Sequence, residues 1–200
     1  MDLKLLYTVI ENYITALFEQ IHAPALVFHN LSHTQNVVSQ AMEIAKHYTL
    51  SKNERYILFA AAWFHDVGHL FTEPHMHEAM SCDIMSKFLS NKVNNVHIIS
   101  YIEECIMATK LPRNPQNLLQ EIICDADTYH FGTDEFKEMN ELVKREQQLK
   151  TGYIDIVRFN KETIKMLEHH CFYTNYCIKH LNEKKQNNLK ELQIKTMAQH

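Results

Sequence analysis

The sequence predicts an all-α fold: a single-domain helical bundle of about eight or nine helices. Only three glycines and four prolines occur in 200 residues, which is few for the many turns of a β-sandwich or a β-barrel. Apolar residues recur at helical spacing along the chain. The hydrophobic content of 46% and the charged content of 22% are ordinary for a globular protein with a substantial core.

The predicted helices follow one another with short breaks. They cover, in order, about 3–19, 33–48, 55–66, 76–89, 96–109, 116–129, 135–149, 154–170 and 173–200. Ser32 is a suitable N-cap for the second helix, and Ser51 followed by Glu54 forms a capping box ahead of the third. The third helix contains RYILFAAAWFHD, which is apolar on all sides, so we expect it to lie buried at the centre.

Glycine, proline and capping residues predict where the helices end. Gly68 ends the third helix, and Pro74 marks a loop over about 67–75. The remaining breaks are assigned to LPRNP (111–115), to Gly132 at the end of the sixth helix, to Thr133 and Asp134 as caps of the seventh, and to Gly152. The final stretch, NEKKQNNLKELQIK, is polar, and we expect it to be solvated or frayed.

Charge and composition exclude several classes of partner. The net charge of −4, with no basic stripe before the tail, gives no reason to expect a nucleic acid polymer. The first residues, MDLKLLYTVIENYI, lack the unbroken apolar run of a signal peptide, and no run is long enough to span a bilayer. We therefore expect a cytoplasmic protein with no membrane partner, whose five cysteines are reduced.

Residues that could bind a metal ion occur on three predicted helices. His65 and Asp66 end the apolar third helix, where a lone buried carboxylate is costly unless it is neutral, paired or bound to a metal. His33 lies on the core side of the second helix. Asp127 lies on the apolar ridge of the sixth helix, and Asp125 on the same helix is a second candidate.

Two imidazoles and two carboxylates suit a six-coordinate divalent ion that keeps open positions for water. Mn²⁺, Fe²⁺, Zn²⁺, Co²⁺ or Ni²⁺ fits such a set, whereas Mg²⁺, which prefers oxygen ligands alone, fits it less well. A second cluster, HHCFYTNYCIKH (169–180), contains His170, Cys177 and His180. Its spacing matches no zinc signature, so we expect a buried cysteine and surface histidines there.

Three segments in combination resemble the HD-domain superfamily of metal-dependent phosphohydrolases. They are HNLSHT (29–34), AAWFHDVGH (61–69) and DADTY (125–129), which give the order H…HD…D. The resemblance covers about residues 25–135, and it implies one HD domain over 1–200 with C-terminal helices at 154–198. It also implies an all-α fold and a divalent metal ion. The implied metal ligands are His33, His65, Asp66 and Asp127.

The resemblance further implies roles around these ligands. His29 matches the histidine that protonates the leaving oxygen in cyclic nucleotide phosphodiesterases, a task to which an imidazolium is suited. Asp66 is expected to orient the attacking water as well as to bind the metal. His77 begins HEAMS (77–81), which is similar to the HExxS segment of many members. The candidates for contact with phosphate or a second metal are His69, His77 and Lys110.

The predicted function is hydrolysis of a phosphate mono- or diester, plausibly a nucleotide, by a metal-activated water. The expected partner is thus a small phosphorylated substrate, and a homodimer is one candidate assembly. The alternative is a metal-binding regulatory module without turnover, because Thr109 stands where two-metal members carry a further histidine. A metal-dependent lyase or oxygenase is a third interpretation, since the superfamily includes a di-iron oxygenase branch.

Overall fold

The computed structural model describes residues 3–93 and 95–198, and these residues form helices and connecting turns without a strand. Six helices come first: α1 (Leu3–Gln20), α2 (Leu31–Ala45), α3 (Lys52–Phe64), α4 (His77–Leu89), α5 (Val96–Ala108) and α6 (Leu118–Asp127). Three more follow: α7 (Phe136–Thr151), α8 (Ile156–His169) and α9 (Asn175–Met197). The all-α fold class is confirmed, with nine α-helices in the described residues.

Three short 3₁₀ helices lie between the α-helices. They cover Val67–Leu70, Pro74–Met76 and Tyr129–Gly132. The first two occupy the segment after α3, for which the sequence predicts a loop. The connection that leads from α3 to α4 is therefore a series of tight helical turns, which hold their side chains in defined directions.

The helix α3 lies at the centre of the first six helices, as its composition predicts. It packs against α1, α2, α4, α5 and α6. Tyr56, Leu58 and Phe64 are 1% exposed or less. Burying a large apolar side chain contributes about 1.5–3 kcal/mol, so these contacts fix the position of the end of α3, which His65 and Asp66 follow.

The starts of α2 and α3 give one correction and one confirmation. The capping box is present, because Ser51 Oγ accepts the backbone N–H of Glu54 at 3.2 Å and the Glu54 carboxylate accepts that of Ser51 at 2.7 Å. The N-cap predicted at Ser32 is wrong. Asn30 caps α2 instead, since its Oδ1 accepts the backbone N–H of His33 at 3.1 Å. Asparagine caps as well as serine does, and with Asn30 as the cap His33 is the third residue of the helix.

Two glycines predicted to end helices have a different role. Gly68 and Gly132 lie beyond the ends of α3 and α6, which finish several residues earlier. Both are points of close approach; a Cβ on Gly132 would lie 2.4 Å from Leu181 Cβ. Gly152 does end α7 as predicted, with a left-handed φ of 78° that glycine adopts without strain.

The chain divides into two compact units. The helices α1 to α6 belong to the first, and α7 to α9 belong to the second together with the segment Pro24–Phe28. In the second unit, α9 packs against α8 and against the 3₁₀ helix Tyr129–Gly132. The prediction of one domain over 1–200 stays a prediction.

Two expectations about the second unit are wrong. Neither Thr133 nor Asp134 is the N-cap of α7; that position is Glu135, without a side-chain cap bond, and Thr133 Oγ1 only accepts its backbone N–H at 3.3 Å. The polar stretch near the C-terminus is not frayed, because α9 runs through it with one face buried. On that face Asn188 is 3% exposed, and its side-chain amide donates to the carbonyl of Phe131 at 3.0 Å.

Within residues 3–93 and 95–198, no helix has both the length and the apolar composition that a bilayer-spanning segment needs.

Candidate metal centre

The four predicted metal ligands meet where three helices begin or end. His33 lies in the first turn of α2, His65 and Asp66 follow the last residue of α3, and Asp127 is the last residue of α6. Each offers one donor atom, and these atoms all lie within 4.8 Å of one another. Because α3 packs against both α2 and α6, the buried core around α3 brings the four side chains together.

Each imidazole of the group faces both carboxylates. Asp66 Oδ2 lies 3.3 Å from His33 Nε2 and 3.2 Å from His65 Nε2. Asp127 Oδ1 lies 3.3 Å from His33 Nε2 and 3.7 Å from His65 Nε2. The His65 side chain is 0% exposed and that of Asp66 is 6% exposed, so little water reaches these donor atoms. The arrangement concentrates two carboxylates in a place where uncompensated negative charge is costly.

The electrostatics of the group favour a cation. Burial lowers the pKa of His65, but the carboxylates of Asp66 and Asp127 outweigh it and raise this pKa to about 10. Burial acts to raise the pKa of Asp66, but the nearby imidazoles of His65 and His33 outweigh it and lower this pKa well below its usual range. Both carboxylates are therefore ionised at neutral pH, and protons on the imidazoles balance them when no metal is bound.

The donor atoms fit a divalent ion. His65 Nδ1 donates to the carbonyl of Ala62 at 2.8 Å, which directs Nε2 toward the two carboxylates. A hydrogen bond of this kind orients metal-binding histidines. His65 Nε2 and Asp66 Oδ2 are buried and make no hydrogen bond of good geometry among the described residues. The set of two imidazole nitrogens and two carboxylate oxygens suits Mn²⁺, Fe²⁺, Zn²⁺, Co²⁺ or Ni²⁺ better than Mg²⁺.

Three more predicted site residues lie near Asp66, two of them beside its second carboxylate oxygen. His77 Nε2 lies 3.3 Å from Asp66 Oδ1, and His69 Nε2 lies 4.0 Å from it. The His69 ring stacks on that of His77 with centroids 3.9 Å apart, and the His29 ring lies 4.2 Å from His69. His29, Asp66 and His69 form a second group whose donor atoms lie within 4.8 Å. The structure thus brings the predicted site residues His29, His69 and His77 together around Asp66, while their predicted roles stay predictions.

Gly68 and Ser81 hold the start of α4 against the turn that carries Asp66. The backbone N–H of Gly68 donates to Ser81 Oγ at 2.9 Å. A Cβ on Gly68 would lie 2.0 Å from the carbonyl oxygen of His77, so only glycine fits. His77 Nδ1 donates to the carbonyl of Pro74 at 2.5 Å, which turns Nε2 toward Asp66. The glycine of HDVGH and the serine of HEAMS therefore place His77 beside the metal centre.

A cavity of about 460 Å³ lies beside these residues, within the first compact unit. Its walls include the predicted site residues His29, Asp66, His77, Lys110 and Asp127. His33 and His65 do not line it. Lys110 is exposed and stands at its α5 side. A small molecule in the cavity would contact the open side of the metal centre.

Two charged residues of the cavity wall, Arg113 and Glu78, are not among the site residues that the sequence predicts. Arg113 pairs with Asp127 Oδ2, and its Nε donates to the carbonyl of Thr109 at 3.1 Å. Arg113 is the only charged residue between Lys110 and α6, which could have marked it as a candidate site residue. Its place between two prolines instead suggests nothing more than a break between helices. Glu78 also lines the cavity and is only 5% exposed. Its position in the first turn of α4 is common for a glutamate without a site role.

The rival candidates lie elsewhere. Asp125 is fully buried on α6 but does not belong to either group of donor atoms found in the described residues. Neither group of donor atoms contains His170, Cys177 or His180 either. As expected, Cys177 is buried and His180 is exposed, whereas His170 is half-buried, with Nε2 2.9 Å from Thr128 Oγ1.

Comparison with known proteins places this centre in a family. Residues 30–132 match the family model of the HD domain. The match covers just over half of the 200 residues and contains all four residues of the first donor group. No match was found among curated proteins or among solved structures. HD domains are helical and are generally metal-dependent phosphohydrolases, in agreement with the all-α fold and the His/Asp group. The chain belongs to the HD domain family.

Proposed function

We propose that this protein is a metal-dependent phosphohydrolase that acts on a phosphate mono- or diester, with a nucleotide as one candidate substrate. The convergence of His33, His65, Asp66 and Asp127 carries the proposal. Two of these residues, Asp66 and Asp127, also line a cavity of about 460 Å³, so a ligand in it can reach the metal centre. That volume lies in the usual range for small-molecule sites.

The first group of donor atoms, from His33, His65, Asp66 and Asp127, would hold the metal ion. When bound, a divalent ion supplies Lewis acidity to a phosphoryl oxygen and makes a water molecule more acidic. The chain's own contribution is to fix the ligands. Asn30 sets the position of His33 through its backbone, and the Ala62 carbonyl sets the orientation of the His65 ring.

Residues of the cavity would position the substrate and move protons. Asp66 has one oxygen toward His33 and His65 and the other toward His77, so it can hold a water molecule as well as a metal. His29 lines the cavity and would donate a proton to the leaving oxygen. Lys110 and His77 would offset the charge of the phosphate, and His69 supports both histidines that it contacts.

The alternative is a regulatory module that binds metal without turnover. One observation favours it: Thr109, at the position where two-metal members carry a further histidine, turns its hydroxyl to the carbonyl of Ile106 at 2.7 Å. The metal centre would then serve stability or signalling. A cytoplasmic location and a homodimer stay predictions from the sequence.

Metal content and turnover, measured on the same samples, test the proposal. We expect about one transition metal ion per chain in the purified protein by elemental analysis. We also expect hydrolysis of an aryl phosphate ester and of members of a nucleotide panel. Asp66→Ala should lose metal and turnover together, because it removes a carboxylate that belongs to both groups of donor atoms.

The matched control is Asp83→Ala, which removes an exposed aspartate on α4. It should keep both the metal and the activity. Metal without turnover on any phosphate ester would favour the regulatory module. A folded wild-type protein that binds no divalent ion would contradict both functions.

A further inference from the structure

We propose that this site selects a terminal phosphate, that is, a phosphate monoester rather than a diester, and that Lys110 and Arg113 bind it. The inference rests on the proposed function and narrows it. It starts from the loop between α5 and α6, which contributes both cations to the wall of the cavity. Of these two cations, only Lys110 is a phosphate-contact candidate in the sequence.

Arg113 is held in place by its neighbours. Its side chain is 11% exposed, it pairs with Asp127 Oδ2, and its Nε donates to the Thr109 carbonyl at 3.1 Å. The other oxygen of Asp127 faces His33 and His65. Arg113 therefore fixes which oxygen of Asp127 faces the metal centre, and Arg113 is itself one of the residues that line the cavity. A guanidinium carries five N–H donors in a planar fork that matches phosphate oxygens.

Lys110 adds a second positive charge on the same wall. It is exposed, and it directly follows Thr109, the residue whose carbonyl holds Arg113. With a divalent ion bound, the charge of the ion balances Asp66 and Asp127. The two cations then exceed the single further carboxylate of the cavity wall, Glu78. The cavity is left with a net positive charge, which suits a dianion better than a monoanion.

Phosphate monoesters and diesters differ in the negative charge that a positively charged cavity can bind. A monoester presents three non-bridging oxygens and is a dianion near neutral pH, whereas a diester presents two such oxygens and a single negative charge. A bound metal ion would interact with part of this set, and the two cations of the cavity wall would interact with the rest. A diester would place an organic group where a monoester places its third oxygen, against Lys110 and Arg113.

The remaining wall offers little to a second ester group. Pro74 and Leu111 are the apolar side chains among the lining residues that the structure describes, and none of these residues is Phe, Tyr or Trp. A bulky apolar substituent on the phosphate would therefore find few contacts there. The cavity would therefore recognise the phosphate itself, and the single leaving group would extend away from Lys110 and Arg113.

The reaction is a hydrolysis that needs no further reactant. The oxygen of a water molecule forms a bond to phosphorus, and the ester P–O bond breaks. The leaving oxygen takes a proton from His29, and the water loses one to solvent. The products are an alcohol and inorganic phosphate.

The first test compares two aryl substrates with the metal-loaded protein: p-nitrophenyl phosphate and bis(p-nitrophenyl) phosphate. We expect kcat/KM for the monoester to exceed that for the diester by about tenfold or more, in line with loss of about one charged contact. Lys110→Ala should lower kcat/KM for the monoester about tenfold more than it lowers kcat/KM for the diester. Since Lys110 is exposed, its removal leaves the core intact. Lys87→Ala, an exposed lysine outside the cavity, is the control.

The second test is independent of turnover and uses inorganic phosphate as the ligand. Calorimetry of metal-loaded protein should show phosphate binding that weakens about tenfold in Lys110→Ala and in Arg113→Gln, and less in Arg113→Lys, which keeps the charge. Faster hydrolysis of the diester, or equal loss on both esters in Lys110→Ala, would overturn the inference while leaving the proposed function intact. No hydrolysis of either ester would instead overturn the proposed function. In that case the phosphate titration decides alone, and absence of binding overturns the terminal phosphate site as well.

Discussion

At the scale of single residues, His65 shows how the chain prepares for a cation. Its Nδ1 is engaged with the Ala62 carbonyl, and its Nε2 faces Asp66 and Asp127. Two ionised carboxylates at this depth need a positive charge beside them. A proton on Nε2 supplies that charge in the metal-free protein, and a divalent ion would take its place.

Metal binding should therefore release protons. The pKa of His65 is raised to about 10, mainly by Asp66 against the opposing effect of burial, so below that pH the metal-free ring carries the proton that a metal must displace. The affinity for metal should rise with pH up to that value, by about tenfold per pH unit for each proton released. Calorimetric titrations at one pH, in two buffers of different ionisation enthalpy, should give different apparent enthalpies.

Identical apparent enthalpies in the two buffers would show that no proton leaves and would contradict this account of His65. His97→Ala removes an exposed histidine of α5 and serves as the control. It should release as many protons as the wild type.

Single residues also show what the sequence could predict about the site. Ligand-type residues on three helices, and the motifs that contain them, identified every member of the first donor group. The Asp127–Arg113 pair could not be predicted, because it joins positions on either side of a two-proline loop whose path depends on packing. The preference for Asp127 over Asp125 agrees with the geometry, although both lie on α6 and only the position of the helix end separates them.

At the scale of elements, the connection from α3 to α4 positions His77 beside Asp66. Gly68 touches the backbone of His77 closely, and its N–H is bound by Ser81. The sequence marks this glycine as a helix end, since glycine most often has that role. Its contact with α4 involves residues nine positions away and depends on tertiary packing.

Gly68→Ala should push α4 away from the turn. A new Cβ would lie 2.0 Å from the His77 carbonyl oxygen, which is far inside van der Waals contact. We expect a loss of about 1–3 kcal/mol in the free energy of unfolding, as for other overpacked sites, and a larger proportional loss of turnover because His77 moves. Urea denaturation and steady-state kinetics on the same preparation measure both.

Ser81→Ala is the companion variant. It leaves the buried N–H of Gly68 without this acceptor and should cost about 1–3 kcal/mol without forcing α4 outward. If Gly68→Ala unfolds at the same urea concentration as the wild type, the close approach at His77 does not exist in solution.

A second element, the segment Pro24–Phe28, is fixed to α7. The backbone N–H of Phe28 donates to the Glu146 carboxylate at 2.9 Å, and Lys150 Nζ donates to its other oxygen at 2.7 Å. Glu146 is 3% exposed, so this carboxylate exchanges water for these partners.

Glu146→Gln should lower the free energy of unfolding by about 1–3 kcal/mol, because hydrogen bonds to a buried charged group contribute more than neutral ones. Guanidinium denaturation followed by circular dichroism measures the change. Glu138→Gln replaces an exposed glutamate of the same helix, and it should stay within about 0.5 kcal/mol of wild type. Equal stability of the two variants would mean that the Phe28 contact contributes nothing.

At the scale of the whole molecule, helical periodicity predicted every α-helix of the described residues to within a few positions. It did not predict that one face of the last helix is buried, where α9 buries Lys185, Asn188 and Leu192 within a polar sequence. Lysine and asparagine are usually exposed, so a pattern of residue types classes this face as solvated. Their burial depends on partners in other elements, such as the His170 carbonyl that Lys185 binds. No periodicity in the stretch itself could reveal those partners.

The location of the metal centre predicts which part of the molecule a metal stabilises. All its ligands belong to the first compact unit. Zn²⁺ or Mn²⁺ at about 100 times its dissociation constant should raise the free energy of unfolding by about 2.7 kcal/mol. That corresponds to a rise in Tm of about 5–10 °C for a chain of this length. Scanning fluorimetry measures the shift, which His33→Ala should abolish and His97→Ala should preserve.

Hydrogen exchange then tests whether the stabilisation starts at the proposed ligands. Amide protection should increase most at the beginning of α2, at the end of α3 and at the end of α6, because the ion would join these three backbone segments. The segments of α8 and α9, which supply no ligand, should change least. Protection that rises equally along all nine helices would indicate binding to scattered histidines, of which the chain has fourteen, rather than one ion held at the junction of α2, α3 and α6.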